Sequence, residues 1–406
     1  MDNPTQTDEP LPARPDDCLS PCFFAHGDEE YGVGTVVRSL AGGLLKRGGA
    51  PTVACWREGP LAAECRALGV RVLVLGVGEP RGYAGGVGSV ATALLSNRAW
   101  ARRVSTALAG ALGGTRPSAY VVQWPNEIAV AGRVAQAGRV PCYWIMPNEV
   151  GSRWPLGINA RYYRGLCRRC AVSPLPNSRY TGRTLGTGLD DRVVYLGVDA
   201  DRFDPAAVRP IGRHELGVPE AATVVGVVAR LHESKGQEPL LRAVAALSAP
   251  FPDLHLLLVG GPTESDFATR LRTIAGERGC SDRLHFTGWT AEPERYYDAI
   301  DIAVNPRIDP EPFGLSVVEA MMMLRPPLVH ALGGPAETVR DGYNGWHVDA
   351  ATPAAYEAAL RRVLSERDRW PEMQRTAREH AVEHFSVDAF VDRYLAIARA
   401  DARDRA

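Results

Sequence analysis

The sequence has little lysine and no long apolar run. Only Lys46 and Lys235 are lysines among 46 basic residues, and the rest are arginine. The 46 basic and 47 acidic residues give a net charge of −1, so no overall field draws the molecule to nucleic acid or anionic lipid. No stretch reaches the roughly 18–20 apolar residues of a transmembrane helix. We therefore expect a globular protein.

Signals for export and for disulfide or metal chemistry are also weak. The first 17 residues are acidic and rich in proline, without the apolar core of a signal peptide. We expect residues 1–17 to form a disordered leader and the protein to be cytoplasmic. Among eight cysteines, Cys167 and Cys170 have a C-x-x-C spacing. That spacing alone is weak evidence for zinc or redox chemistry, so we interpret both as thiols on a helix, without a metal.

Short apolar runs alternate with amphipathic segments along the chain. In the first half, CFFAH (22–26) predicts a strand, GDEEYGVG (27–34) a polar loop, and the apolar spacing after it a helix. The second half begins again with TVVGVVAR (223–230) and LHLLLVGG (254–261), which predict strands. The alternation indicates an α/β fold with two Rossmann-like, doubly wound domains that face a central cleft.

A polar, proline-bearing segment (199–210) separates the two halves. We expect an N-terminal domain over 18–200, a C-terminal domain over 201–385, and a helix over 386–406 that packs back on the N-terminal domain. Ligands of doubly wound sheets bind outside the carboxyl ends of the strands. The expected ligand site is therefore the cleft.

The segment EPFGLSVVEAMMM (311–323) carries two carboxylates eight residues apart. Gly314 predicts that a helix begins near it, so that Glu311 precedes the helix and Glu319 lies about one turn inside. A structural cap is one explanation, but nothing structural requires the second glutamate. Because a carboxylate can accept two hydrogen bonds from a vicinal diol, Glu311 and Glu319 suit a ligand rich in hydroxyls.

Phosphate groups fit between two such carboxylates, since the first backbone amides of a helix attract anions. Cations that could neutralise a diphosphate are also present: Arg230 ends the first strand of the second half, and Lys235 follows it. A solvated pair of loop cations is the alternative. Lysine is so rare in this chain that its retention at 235 favours a need for a compact charge.

The chain resembles the GT-B glycosyltransferases of the GT4 type in five segments with the family's order and spacing: VARLHESKG, LLLVGG, LHFTGW, EPFGLSVVEAM and GGPAETVRDGYNG. The resemblance runs from about Cys22 to the C-terminal tail and is strongest over 225–348. It implies a retaining enzyme that moves a sugar from a UDP- or GDP-linked donor to a small-molecule, natural-product or lipid acceptor. It also implies that neither a cofactor nor a metal ion is needed.

The resemblance assigns roles to residues of the second half. Arg230 and Lys235 would bind the diphosphate and stabilise its charge as it leaves. Glu319 would hold the ribose, and Glu311 would hold the hydroxyls of the transferred sugar. The other donor contacts would come from a strand end and from the start of the E-x7-E helix: Thr287, Gly288, Phe313, Gly314, Leu315 and Ser316.

In the first half, the resemblance places Gly32 and Gly34 in a loop that approaches the diphosphate. The family commonly has a histidine after the strand that here reads PCYWIM, but Pro147 stands at that position. His26 ends the first strand, and we count it with the catalytic candidates as a possible substitute. A capped histidine at a strand end is the equally weighted alternative.

Acceptor recognition is expected from the segment after Pro147, with Asn148, Glu149 and Trp154 as candidates. Asn148 and Glu149 are further substitutes for the missing histidine. Some related enzymes dock on membranes through a basic amphipathic helix in this region. An ordinary solvated helix face is the favoured interpretation of residues 159–170.

A possible metal motif, the alternative functions and the identity of the substrates complete the sequence-based expectations. Asp199 and Asp201 resemble a metal-binding D-x-D motif, but we interpret them as structural. A sugar-nucleotide epimerase and a non-catalytic GT-B partner protein are the alternative functions, the second because of Pro147. The residues indicate neither the base, sugar and acceptor nor the oligomeric state.

Overall fold

The computed structural model describes residues 19–29, 32–78, 87–151, 158–186 and 188–405, without the side chains of residues 87–98. It divides into two compact units. Unit 1 takes the described residues up to Ile145, then Tyr163–Pro174 and those from Val391 onward. Unit 2 takes Leu175–Phe390 and the described residues from Met146 to Tyr162. The expected leader lies outside the described residues.

The elements of the first half follow the predicted alternation. In chain order they are β1 (Cys22–Ala25), α1 (Gly32–Lys46), β2 (Thr52–Cys55), α2 (Pro60–Ala67), β3 (Arg71–Val74), α3 (Val87–Leu112), β4 (Tyr120–Val122), α4 (Ile128–Gly138), β5 (Cys142–Met146), α5 (Ile158–Cys170), β6 (Val172–Pro176) and α6 (Arg179–Thr184).

The second half repeats this rhythm and ends in helices. Its elements are β7 (Thr223–Val228), α7 (Gln237–Ala246), β8 (Leu254–Val259), α8 (Asp266–Glu277), β9 (Leu284–Gly288), β10 (Ile302–Asn305), α9 (Leu315–Met322), β11 (Pro327–His330), α10 (Pro335–Thr338), β12 (Trp346–Val348), α11 (Pro353–Ser365), α12 (Trp370–Phe385) and α13 (Val387–Arg403).

The strands form two six-stranded sheets. Their orders are β3-β2-β1-β4-β5-β6 and β12-β11-β10-β7-β8-β9, and the described pairs are parallel. Each order is the doubly wound one, in which the chain reverses direction across the sheet once. The reversal falls between β1 and β4 in the first sheet and between β7 and β10 in the second. The α/β, two-sheet prediction is confirmed.

The core of unit 2 explains why its central strands read as continuous apolar runs. All six residues of β8 are buried, as expected for a parallel strand covered on both faces. Helices α7 and α11 pack together on this sheet, and Leu240, Leu256, Tyr356 and Leu360 are fully buried there. Burying each such leucine stabilises the fold by roughly 1.5–3 kcal/mol.

The expected domain boundary at residue 200 assigns residues 175–200 to the N-terminal domain, but the structure does not. They group with unit 2. The side chain of Ser178 donates to the carbonyl of Pro312 at 2.6 Å, and Glu337 accepts from the amides of Arg179 and Tyr180 at 2.9 and 2.7 Å. These long-range hydrogen bonds connect the segment to the second half. No local sequence pattern predicts them.

Gly32 and Gly34 were predicted to lie in a loop, and this was wrong. Both lie in the first turn of α1. A Cβ on Gly34 would lie 2.7 Å from the carbonyl oxygen of Glu29. Glycine is therefore required here because the helix begins against the preceding turn, whose amides at His26 and Gly27 donate to the Glu29 carboxylate at 2.6 and 2.7 Å.

The turn after Lys235 depends on a second glycine. Gly236 has a φ of +70°, and an added Cβ would lie 1.8 Å from the carbonyl oxygen of Pro306. We expect Gly236→Ala to lower the free energy of unfolding by about 3 kcal/mol, combining roughly 1 kcal/mol for the left-handed backbone with 1–3 kcal/mol for the overlap. Urea denaturation measures the loss.

Gly279→Ala is the matched control for this substitution. Gly279 lies in the same unit with a φ of +64°, but an added Cβ would meet no atom within 4 Å. It should cost only about 1 kcal/mol. Equal losses in the two variants would show that the close approach of residues 236 and 306 is unimportant.

Candidate functional site

The chemically distinctive residues of unit 2 follow two paired strands. β7 is followed by Arg230 and by a short turn that contains Lys235, and β10 is followed by the segment that leads through Glu311 to α9. β7 and β10 are hydrogen-bonded neighbours at the point where the strand order reverses. Ligands of doubly wound sheets bind at this place.

Glu311 is the centre of an ionic cluster. Its Oε2 atom lies 3.4 Å from Nζ of Lys235 and 2.9 Å from Nη1 of Arg307. Its side chain is 16% exposed, so the two cations offset the cost of removing the carboxylate from water. The sequence predicted Glu311 and Lys235 as separate ligand contacts, and the structure brings them together.

Arg307 was missed by the sequence analysis. Besides its bond to Glu311, it pairs with Asp309 through Nε at 2.8 Å and Nη2 at 3.1 Å. Burial opposes its charge, but the hydrogen bonds to the two carboxylates outweigh that effect and raise the pKa of the guanidinium. Among so many arginines no local pattern distinguishes Arg307. Its spacing of four residues from Glu311 was the one signal in the sequence that could have indicated an ion pair.

Helix α9 begins at Leu315, as predicted. Gly314 precedes it with a φ of +94° and provides no side-chain cap. The first amides of the helix, at Leu315 and Ser316, have no carbonyl partner one turn earlier in the helix. They are suited to hydrogen bonds with an anion.

Glu319 lies one turn inside α9 in a different environment from Glu311. Burial raises the pKa of its carboxyl to about 7, against the opposing effects of the Tyr297 hydroxyl and Arg202. Tyr297 donates to Glu319 at 3.2 Å, and Arg202 is itself paired with Glu294 at 2.8 Å. The second carboxylate therefore titrates near neutral pH, which the spacing could not indicate.

The other predicted donor residues fall into two groups. Phe313 is buried, with its ring against Tyr195 and Phe385, so its side chain is a packing group. Thr287 and Gly288 end β9. Trp289, which follows them, is 66% exposed.

His26 of unit 1 follows β1. Its ring stacks on Trp124 at 5.1 Å between centroids, and Nε2 lies 3.7 Å from Oε1 of Glu127. Glu127 is fully buried and accepts from the indole of Trp56 at 2.9 Å. Trp124 and Glu127 follow β4, so this group lies at the reversal point of the first sheet; the sequence analysis missed both.

The candidate acceptor residues follow β5. Asn148 and Glu149 are exposed, and the hydroxyl of Tyr180 donates to Glu149. Asn177 donates to the carbonyl of Pro147 at 3.1 Å. These bonds join the segment after β5 to the start of α6. Trp154 lies outside the described residues.

The remaining candidates have structural surroundings. Cys167 and Cys170 are buried on α5, and burial raises the pKa of the Cys167 thiol to about 12. The carboxylate of Asp199 accepts from the amides of Asp201 and Arg202, as in a turn. Within the described ranges no group of three or more His, Cys, Asp or Glu side chains has metal-site geometry.

No helix within the described segments is both long enough and apolar enough to cross a membrane.

Comparison with known proteins finds a family match in the second half. Residues 208–382 match the family model of glycosyl transferases group 1. A D-inositol 3-phosphate glycosyltransferase of Corynebacterium kroppenstedtii is 36% identical over 198 residues, which are 47% of this chain and 44% of that protein. The chain spans about half the length of the curated relatives it matches.

Solved structures that match nearly the whole chain include one from Anabaena and one from Rickettsia africae. The Anabaena protein HepE, solved in complex with UDP and glucose, has a TM-score of 0.73 at 20% identity and covers 94% of this chain and 99% of its own. A glycosyltransferase from Rickettsia africae has a TM-score of 0.77 at 17% identity, covering 95% and 99%. Such identities establish the fold alone. The chain thus has the GT-B fold, and its residues 208–382 match the family model of glycosyl transferases group 1.

Proposed function

We propose that this protein transfers a sugar from a nucleotide-diphosphate sugar to a hydroxyl-bearing acceptor. The observation that carries the proposal is the cluster after β7 and β10. Glu311, with Lys235 and Arg307 on one of its oxygens, lies three residues before Gly314, which precedes α9. A ligand with hydroxyls for the carboxylate and phosphates for Lys235 and the amides satisfies this arrangement.

The proposed chemistry is electrostatic. As the bond between the anomeric carbon and the phosphate oxygen breaks, negative charge grows on the leaving diphosphate. Arg230, Lys235 and the first amides of α9 are proposed to stabilise that charge. Because these groups supply the positive charge, we propose that the reaction needs no metal ion.

We propose that the configuration of the anomeric carbon is retained. The acceptor hydroxyl attacks from the face that the diphosphate leaves, and an oxygen of the leaving phosphate takes the hydroxyl proton. Glu311 is proposed to hold hydroxyls of the sugar. We keep His26, Gly32 and Gly34 as proposed substrate contacts of unit 1, and Asn148 and Glu149 as proposed acceptor contacts.

The relatives and structural neighbours suggest which donors and acceptors should be tested first. HepE was solved with UDP and with UDP-glucose, so uridine donors are the first choice, followed by guanosine donors. The relatives are named for an inositol phosphate acceptor, which makes hydroxylated small molecules the first acceptors to test. A nucleotide-sugar donor would place the reaction in the cytoplasm, where such donors are made.

A thermal-shift panel tests the donor site. We expect one of UDP, GDP, ADP and dTDP at about 100 times its Kd to stabilise the wild type by roughly 2.7 kcal/mol, and Arg230→Ala to lose most of this effect. Lys46→Ala, which removes the other lysine, from the end of α1, is the control and should respond like the wild type. Unchanged stabilisation of Arg230→Ala would contradict the diphosphate assignment.

Glu311→Gln separates binding from transfer. We expect kcat to fall about 100-fold, within the range for losing a group that stabilises the transition state, while the nucleoside diphosphate binds within about threefold of the wild-type affinity because the diphosphate cations stay in place. Release of nucleoside diphosphate from a donor and acceptor panel measures kcat. Glu366→Gln, which alters a glutamate paired with Arg362, controls for a change of charge in the same unit. Normal turnover of Glu311→Gln would refute this role.

The raised pKa of Glu319 predicts a pH-dependent affinity. An ionised carboxylate accepts hydrogen bonds from a ribose better than a protonated one does, and a pKa of about 7 means that the ionised fraction rises with pH. We expect the affinity for the nucleoside diphosphate to increase about three- to tenfold from pH 6 to pH 8.

Glu319→Gln provides the reference for this measurement, because the phosphates of the ligand titrate in both proteins. Calorimetric titrations at pH 6, 7 and 8 should show a flatter profile for the variant. Parallel profiles for the two proteins would mean that Glu319 does not sense the ligand.

A further inference from the structure

The cluster at Glu311 contains one more cation than the proposed function uses. Lys235 and Arg307 approach the same oxygen, Oε2 of Glu311, at 3.4 and 2.9 Å. Arg307 is 21% exposed and is also held by Asp309, which receives two of its N–H groups. The guanidinium thus bridges two carboxylates.

This arrangement poses a problem for the proposed reaction. Lys235 is expected to bind the diphosphate, yet here it is paired with Glu311. If it moved to the phosphates and nothing else neutralised Glu311, a mostly buried carboxylate would lose its counter-ion, which is unfavourable. The same carboxylate is also expected to stay in place for the sugar.

We propose that Arg307 is a positioning residue that keeps Glu311 neutralised and in place while Lys235 transfers from Glu311 to the diphosphate of the donor. The inference rests on the proposed function. Arg307 itself would not need to touch the substrate. Its effect would pass through Glu311 and Lys235.

Three observations support this role. The bond from Arg307 to Glu311 is the shorter of the two contacts, so the arginine can hold the oxygen alone. The planar guanidinium can bind two carboxylates at once, and its hydrogen bonds keep the pKa of Asp309 below its usual value. The backbone is fixed as well, because the carbonyl of Arg307 accepts from the His330 ring at 2.9 Å and the amide of Ile308 donates to the carbonyl of Ser234 at 3.0 Å.

A double-mutant cycle tests the coupling between the two cations. Binding of UDP and of GDP is measured by calorimetry for the wild type, Lys235→Ala, Arg307→Gln and the double variant. In the wild type, Lys235→Ala should weaken binding of the favoured nucleotide by about tenfold or more, as for a lost charge-assisted hydrogen bond. In the Arg307→Gln background it should cost less than about threefold, because Lys235 then stays on Glu311.

Two further variants sharpen the result. Arg307→Lys restores a cation and should recover part of the coupling. Arg362→Gln is the matched control, since Arg362 also bridges two carboxylates of unit 2, Asp341 and Glu366, at 3.0 Å. The cost of Lys235→Ala in that background should equal the wild-type cost.

The two lysines of the chain allow a direct readout as well. In protein labelled with 15N-lysine, the Lys46→Arg variant identifies the side-chain signal of Lys235. The nucleotide should shift this signal in the wild type and much less in Arg307→Gln. Thermal unfolding shows whether each variant is folded, and Arg307→Met, which also removes the charge, serves in place of Arg307→Gln if the latter is not.

The outcomes separate the two proposals. Equal costs of Lys235→Ala with and without Arg307 would overturn the positioning role but leave the donor site standing. Failure of the wild type to bind either nucleotide would overturn the proposed function and this inference together. Reduced cost and a reduced NMR shift in Arg307→Gln would support both.

Discussion

A carboxylate that is mostly removed from water has to be matched by positive charge, and in this protein that carboxylate is Glu311. One of its partners is distant in sequence and the other is local. Lys235 follows β7, whereas Arg307 and Glu311 both follow β10, and the parallel pairing of these strands brings Lys235 to the oxygen that Arg307 contacts from four residues away. The Lys235 contact with Glu311 therefore depends on the topology of the sheet.

The turn that carries Glu311 is also fixed by its backbone. The carbonyl of Glu311 accepts from Gly334 at 2.7 Å, and the next carbonyl, of Pro312, accepts from Ser178 at 2.6 Å. Ser178 also caps α6, and Tyr180 on that helix donates to Glu149. A continuous set of hydrogen bonds within unit 2 thus joins the turn before α9 to the candidate acceptor segment. Groups held in this way lose little freedom when a ligand arrives.

The sequence predicted well what depends on local pattern. The start of α9, the position of Glu319 one turn inside it and the buried strands followed from punctuation by glycine and from apolar runs. Helices α11 and α12 were missed although Thr352 caps the first of them and apolar residues recur at helical spacing. The assignment of residues 175–200 to unit 2 could not be predicted, because it depends on bonds such as that from Ser178 to a carbonyl 134 residues away.

The candidate site also combines features that local sequence predicts with features that depend on long-range contacts. Glu311 and Glu319 look equivalent in sequence, but the fold surrounds one with cations and places the other beside a buried phenol. Two carboxylates in different environments can take different protonation states and therefore different tasks. Glu311 carries two cations, Lys235 and Arg307, on one of its oxygens. Glu319, with a pKa of about 7, costs less to bury and is suited to neutral hydroxyl donors. The spacing of the motif sets where the two groups stand, and tertiary contacts set what each can do.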